Sequence, residues 1–251
     1  MIRRLLRRLA LGGACAVLLA AAPLATRPIE RSDPWWQARH AAKLREARAA
    51  PVDLVFLGDS ITQRWEQPEY RPGWRKFYGD RHALNLGFSG DATSHLLWRI
   101  DHGELAGLHP RVAVILIGAN NLGRLHWPEA DDVAGVAAVV DTVRRTLPDT
   151  AILLLGILPS DRGAWVLGTS AAVNRALAAR YGHGAVPGVT FLDLSPLFLL
   201  ADGRVDDSQF ADPGMRPPEP ALHPSPSGAE RMAAAMEPTL SALLGDRDHR
   251  R

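Results

Sequence analysis

One cysteine, Cys15, stands in the 251 residues. A lone cysteine excludes an intramolecular disulfide and a thiolate metal cluster, and its place in an N-terminal apolar segment argues against a cysteine nucleophile. No internal repeat, low-complexity block or interdomain linker is visible. Asp, Glu and His lack the compact spacing of metal ligands, so no metal is expected. No Gly-x-Ser-x-Gly elbow surrounds any serine considered below. A concentrated basic stretch is also missing outside the N-terminus, which removes the footprint expected of a nucleic-acid binder.

At the N-terminus, Arg3, Arg4, Arg7 and Arg8 precede an apolar, small-residue run over 9–25. That order is a secretory signal, which predicts an exported protein, periplasmic or extracellular. Residues 1–25 are expected to be a signal peptide or a retained N-terminal anchor with some membrane association. The run is short for a full span. Without those four arginines, Lys+Arg falls from 29 to 25 against 27 Asp+Glu, so the formal charge of +2 becomes about −2.

The 251-residue chain is 47% apolar and 22% charged, and residues 26–251 are long enough for one core. Apolar strand candidates recur at 54–57, 83–86, 112–117, 151–158 and 189–192. Helical periodicity occupies 35–49, 91–105, 128–146, 164–181 and 227–244. Strands apolar on both faces, alternating with helices, predict an α/β domain: a three-layer α/β/α sandwich, flavodoxin-like, around a mainly parallel five-stranded sheet. Residues 247–251 read as a solvated tail. A monomer is the default expectation.

Chemistry concentrates where these strands end. The first run stops at Gly58-Asp59-Ser60, the second is followed by Gly87-Phe88-Ser89-Gly90-Asp91, and the third by Gly118-Ala119-Asn120-Asn121. In an open α/β sheet, ligands bind at the carboxyl ends of strands. Ser60 is a candidate nucleophile, the Gly90 amide and the Asn120 side chain are candidate oxyanion donors, and His223, just ahead of the last helix, is a candidate base. His126, after the Asn120 loop, is held as a possible pocket residue. Trp65, Trp74, Trp98, Trp127 and Trp165 are candidates for pocket walls or core.

Ser60, Gly90, Asn120 and His223 match in order the four residues that name the SGNH hydrolases, the GDSL-like esterases and lipases. The stretches 54–65, 85–91, 96–99, 103–105 and 117–121 resemble the branch containing platelet-activating-factor acetylhydrolase catalytic subunits and bacterial lysophospholipase-like esterases. The resemblance implies a serine esterase acting on acetyl or short-chain acyl esters of lipid or carbohydrate, without cofactor. Other readings are a noncatalytic envelope protein binding glycan or lipid, and a thioesterase or amidase. The family's aspartate three residues before the histidine is replaced here by Pro220. Two repairs are open: Glu219, one residue further back, or Asp212, if 215–220 is inserted. Glu219 is the favoured acid, with a backbone orienter or an impaired site as the remaining options.

Overall fold

The computed structural model describes residues 22–250. In chain order it contains α1 (Pro34–Ala47), β1 (Leu54–Gly58), α2 (Ser60–Gln63), α3 (Arg71–Tyr78), β2 (Ala83–Gly87), α4 (Thr93–Asp101), β3 (Val112–Leu116), α5 (Ala119–Gly123), α6 (Glu129–Thr146), β4 (Ala151–Leu155), α7 (Ala164–Tyr181), β5 (Val189–Leu192) and α8 (Pro226–Leu244). The five strands form one sheet in the order β2-β1-β3-β4-β5, and every neighbouring pair is parallel.

All five residues of β1 and of β3 are buried, because each strand is covered on both faces. One face carries Val55, Leu57, Leu86, Ala113 and Ile115 against Leu96 of α4, Val139 and Val143 of α6, and Val173 and Leu177 of α7. The other carries Leu54, Phe56, Val112 and Val114 against Phe77 and Tyr78 of α3 and Met232, Met236 and Leu240 of α8. Side chains on successive strand residues point to opposite faces, so these two sets alternate along the strands.

The strand register brings the three candidate loops together. Gly58 is paired with Gly87 on one side and with Leu116 on the other, so β1, β2 and β3 end level with one another. The chain then turns into α2, into the 88–92 loop and into α5 on the same edge of the sheet.

Several elements differ from the sequence expectation. The fourth strand ends at Leu155 rather than 158, and the stretch beyond it is held by side chains: Asn174 of α7 brackets Ile157, accepting from its amide at 2.8 Å and donating to its carbonyl at 2.9 Å. Helix α3 is not among the expected helices: it is only 8 residues long, and the Pro-Gly pair in its first turn reads as a turn although its faces are strongly amphipathic. The 247–251 tail is not simply solvated: the amide of His249, itself buried, donates to Glu237 at 2.8 Å, and Asp246 just ahead of it pairs with Arg81. The folded unit also reaches N-terminal of residue 26, since Ala25 is fully buried and its carbonyl accepts from Thr93 Oγ1 at 2.8 Å. The signal-segment features in 1–21, Cys15 included, lie outside the described residues. Among the described residues no helix is long and apolar enough to cross a membrane.

Candidate active site

Ser60 is the first residue of α2, immediately after β1, and its side chain is nearly buried. The preceding Asp59 fixes this turn by accepting from the amide of Ile61 at 2.9 Å, which caps the short helix. Burial raises the Asp59 carboxyl to about 6, with the Ile61 hydrogen bond and nearby His223 and Arg162 acting in the opposite direction.

His223 reaches Ser60 from the far end of the chain. Its Nε2 lies 2.9 Å from Ser60 Oγ. The histidine sits on a narrow antiparallel turn: Ala211 donates its amide to the carbonyl of His223 at 2.8 Å, Phe210 bridges Pro224, and Ser225 donates back to Gln209 at 2.8 Å. Beyond it, Ser225 caps α8 by accepting from Gly228, and Pro226 begins the helix with its fixed φ. The carbonyl of Pro224 accepts from the Tyr70 hydroxyl at 2.8 Å, which anchors the turn to the α3 side.

The acid on this histidine is Asp212, which corrects the preference for Glu219. Asp212 Oδ1 stands 2.7 Å from His223 Nδ1. Its other oxygen accepts from the amide of Leu222 at 2.7 Å and also from that of His223. Asp212 is buried, whereas Glu219 is exposed and joins the site only through its backbone amide, 3.2 Å from the carbonyl of Asp212. The reason is the loop between them: residues 213–220 bulge into solvent, and the chain re-enters at Ala221 to place Asp212 beneath the ring. Burial opposes ionisation of Asp212, but the hydrogen bonds from the His223 side chain and backbone hold its carboxyl below the usual range.

This pattern settles the tautomer. Nδ1 carries the hydrogen shared with Asp212, which leaves Nε2 as an acceptor facing the Ser60 hydroxyl. Arg64 Nη2 lies 3.2 Å from Nδ1 and 3.6 Å from Asp212 Oδ1. Since Nδ1 is already a donor, the guanidinium accompanies the pair as a counter-charge to Asp212 and does not hydrogen-bond the ring. The sequence reading missed Arg64, although it lies four residues after Ser60, one turn along the same helical stretch.

Gly90 and Asn120 complete the constellation. Gly90 has φ +77°, a left-handed conformation suited to glycine. Asn120 Nδ2 donates to the carbonyl of Asp91 at 3.0 Å and lies 3.4 Å from Asp59 Oδ2, so its amide is aimed between the Ser60 and Gly90 loops. A buried ionic cluster holds that arrangement from below: Arg99 Nε donates to Asp91 at 2.8 Å, its other nitrogens reach Glu104 and the carbonyls of Leu86 and Gly58, and Trp36 donates to Asp91 at 2.8 Å. Asn121 accepts from the amide of Thr93 at 3.0 Å and donates to Asp132 at 2.8 Å, which ties α5 to α4 and α6. Asp91, Arg99 and Glu104 are invisible as a cluster in sequence because only the β2–α4 turn brings them into contact.

The cleft over Ser60 and His223, about 420 Å³, is lined by Gln63, Arg64, Gln67, Pro68 and Ser89 among others; the residues are mostly polar, but the wall they present is about equally polar and apolar. His126 is exposed, its ring 5.6 Å from that of Trp165. Trp65 is core, packed on Tyr70, Trp74 and Tyr78. Among the described residues no group of three or more His, Cys, Asp or Glu is gathered to hold a metal ion.

A hydroxyl hydrogen-bonded to an imidazole that is oriented by a carboxylate, with amide donors beside it, is an arrangement for acyl transfer. Comparisons with known proteins point the same way. The profile of the GDSL-like Lipase/Acylhydrolase family matches residues 56–231. Platelet-activating factor acetylhydrolase IB subunit alpha1 from Bos taurus is 32% identical over 217 residues, covering 85% of this chain and 86% of the relative. The alpha2 subunit from Rattus norvegicus is 33% identical over 188 residues, covering 74% and 78%. Among solved structures, a GDSL-like lipase from Bacteroides thetaiotaomicron superimposes with a TM-score of 0.63 at 17% identity, over 82% of this chain and 97% of that one.

Proposed function

The chain belongs to the GDSL-like lipase/acylhydrolase family, whose members hydrolyse esters, and from that premise we propose that it is a serine esterase working through an acyl-enzyme on Ser60. The observation that carries this reading is the continuous chain of contacts from Ser60 Oγ to His223 Nε2 at 2.9 Å and from His223 Nδ1 to Asp212 at 2.7 Å.

In the first step Nε2 of His223 takes the Ser60 hydroxyl proton as Oγ attacks the ester carbonyl. The Asp212 carboxylate supports the imidazolium without itself taking the proton. The carbonyl oxygen, now negative, is received by the backbone amides of Ser60 and Gly90 and by Asn120 Nδ2. Collapse breaks the ester C–O bond, and the imidazolium gives its proton to the departing alkoxide. A water then loses its proton to His223, attacks the acyl carbon, and the carboxylic acid leaves as Ser60 regains its proton.

The hydrogen-bonding side chains of the cleft, Gln63, Arg64 and Gln67 among them, suit a short acyl group on a polar alcohol such as an acetylated sugar. Export through the arginine-led N-terminal segment would give the enzyme access to envelope esters of this kind. Hydrolysis of 4-nitrophenyl acetate and butyrate by the chain tests the reading. Ser60→Ala should lower kcat by about a thousandfold or more while the fold is kept. Turnover unchanged in that variant would remove Ser60 as nucleophile.

A further inference from the structure

The loop after β4 places a cation where the protein supplies no touching counter-charge. Arg162, half-buried, donates from Nη2 to the carbonyl of Ala119 at 2.7 Å and from Nε to Ser160 Oγ at 3.2 Å, and both acceptors are neutral. The buried Arg81 and Arg99 differ, since each contacts two carboxylates. Among the described residues no carboxylate forms an ion pair with Arg162. Burial lowers its pKa, with Asp59 and Asp212 opposing from a distance. A partly desolvated cation that lacks a partner is costly, and an anion arriving beside it relieves that cost.

Its position is between two segments that carry site residues. A Cβ on Gly123 would fall 2.1 Å from Arg162 Cζ, so the guanidinium fills the space of an absent side chain against α5, the helix of Asn120. On its other side, the amide of Asp161 donates to the carbonyl of Ala221 at 2.9 Å, two residues before His223. Arg162 therefore sits between the Asn120 helix and the His223 segment. A second cation stands nearby: Arg124, the residue after α5, is exposed, and its Nη1 lies 2.5 Å from where a Cβ on Gly90 would be. Among the described residues it too has no ion pair. In the reaction above, His223 protonates the departing alcohol, so the alcohol part of the substrate occupies the side of the cleft bounded by the His223 segment.

We infer that the preferred substrates carry an anionic group, a carboxylate foremost, on the alcohol part of the ester, and that Arg162 and Arg124 recognise it. The planar guanidinium fork suits a carboxylate through paired, charge-assisted hydrogen bonds. This inference rests on the esterase reading. It adds a selectivity that esterase activity alone does not require.

The test compares 3- and 4-acetoxybenzoate with the corresponding neutral acetoxybenzamides, each corrected for spontaneous hydrolysis. The expected result is a kcat/KM preference of about tenfold or more for at least one acid over its amide, carried mainly by KM and reduced by high salt. Arg162→Gln and Arg124→Gln should each reduce that acid-to-amide ratio severalfold, and Arg162→Lys should restore it only in part. Equal turnover of acids and amides, or a preference untouched in both glutamine variants, overturns the inference and leaves the esterase reading standing. No turnover of any of the four esters overturns the esterase reading and this inference with it. Should Arg162→Gln fail to fold, Arg124→Gln at its exposed position, together with the salt dependence, decides the matter.

Discussion

Asp212 Oδ1 lies 2.7 Å from His223 Nδ1 although the two stand 11 positions apart in sequence. The contact assigns the orienting carboxylate, and it makes a sharp contrast with Glu219. Asp212→Asn would keep the shape but could present an N–H to the ring and favour the tautomer with hydrogen on Nε2, which cannot accept from Ser60. On the esterase reading, kcat should fall by about a hundredfold to ten-thousandfold. Glu219→Gln should stay within about twofold of the parent, as expected of an exposed residue away from the reacting atoms. Steady-state hydrolysis of an aryl acetate by both variants checks the pair.

The loop that separates this acid from its histidine should be dispensable. Residues 213–220 are all exposed, while Ala211 and His223 are already joined by a backbone hydrogen bond. Excising the loop leaves Asp212, Ala221 and Leu222 as a three-residue turn between those two positions, a length that antiparallel hairpins accept. The shortened chain should fold and keep ester turnover within about tenfold of the parent. An unfolded product, or a folded one with the activity of the Ser60→Ala variant, would mean that the loop itself shapes the site.

Asn120 offers its side-chain amide to a charge that exists only during the reaction. Asn120→Ala should lower kcat by about a hundredfold to a thousandfold and alter KM little, because an oxyanion donor acts mainly on the transition state. A large rise in KM with kcat preserved would instead assign Asn120 to ground-state binding. The two outcomes separate cleanly in a full saturation curve.

Asp59 gives the fold a pH dependence of definite sign. Its carboxyl is raised from 3.8 to about 6, so the folded state favours the protonated form and loses stability as pH climbs through that interval. The loss amounts to roughly 3 kcal/mol once the carboxyl is fully ionised. Asp59→Asn keeps an oxygen for the Ile61 amide and carries no charge, and it gives up only the long 3.4 Å contact from Asn120 Nδ2. The variant should therefore exceed the parent in stability by roughly 2–3 kcal/mol at about pH 7.5, with the gap closing by about pH 4. Urea unfolding at several pH values measures it, and a gap that does not change with pH would contradict this account.

Much of this protein follows from sequence because its strands are apolar on both faces. β1 and β3 read as uninterrupted apolar runs, and the longer helices, though not α3, carry their own periodicity. Alternation of the two dictates a parallel sheet with covered faces, whose carboxyl ends collect the loops. The Gly58-Asp59-Ser60, Gly90 and Asn120 stretches follow three of those strand ends. They could be picked out one by one for that reason.

Contacts between distant segments were another matter. The local spacing that identified Pro220 as the missing acid could not distinguish an absent carboxylate from one displaced by a bulging loop. Only the pairing of 209–211 with 223–225 shows that the chain returns to Asp212. Arg64 beside His223, Arg99 beneath Asp91 and Arg162 against Gly123 are likewise products of closure: each guanidinium sits where a turn or a missing Cβ admits it. Sequence determined the strands, the longer helices and the residue types at the strand ends, since those depend on local polarity and periodicity. Tertiary structure decided which charges meet, because electrostatic and hydrogen-bonding partners are chosen by distance through space.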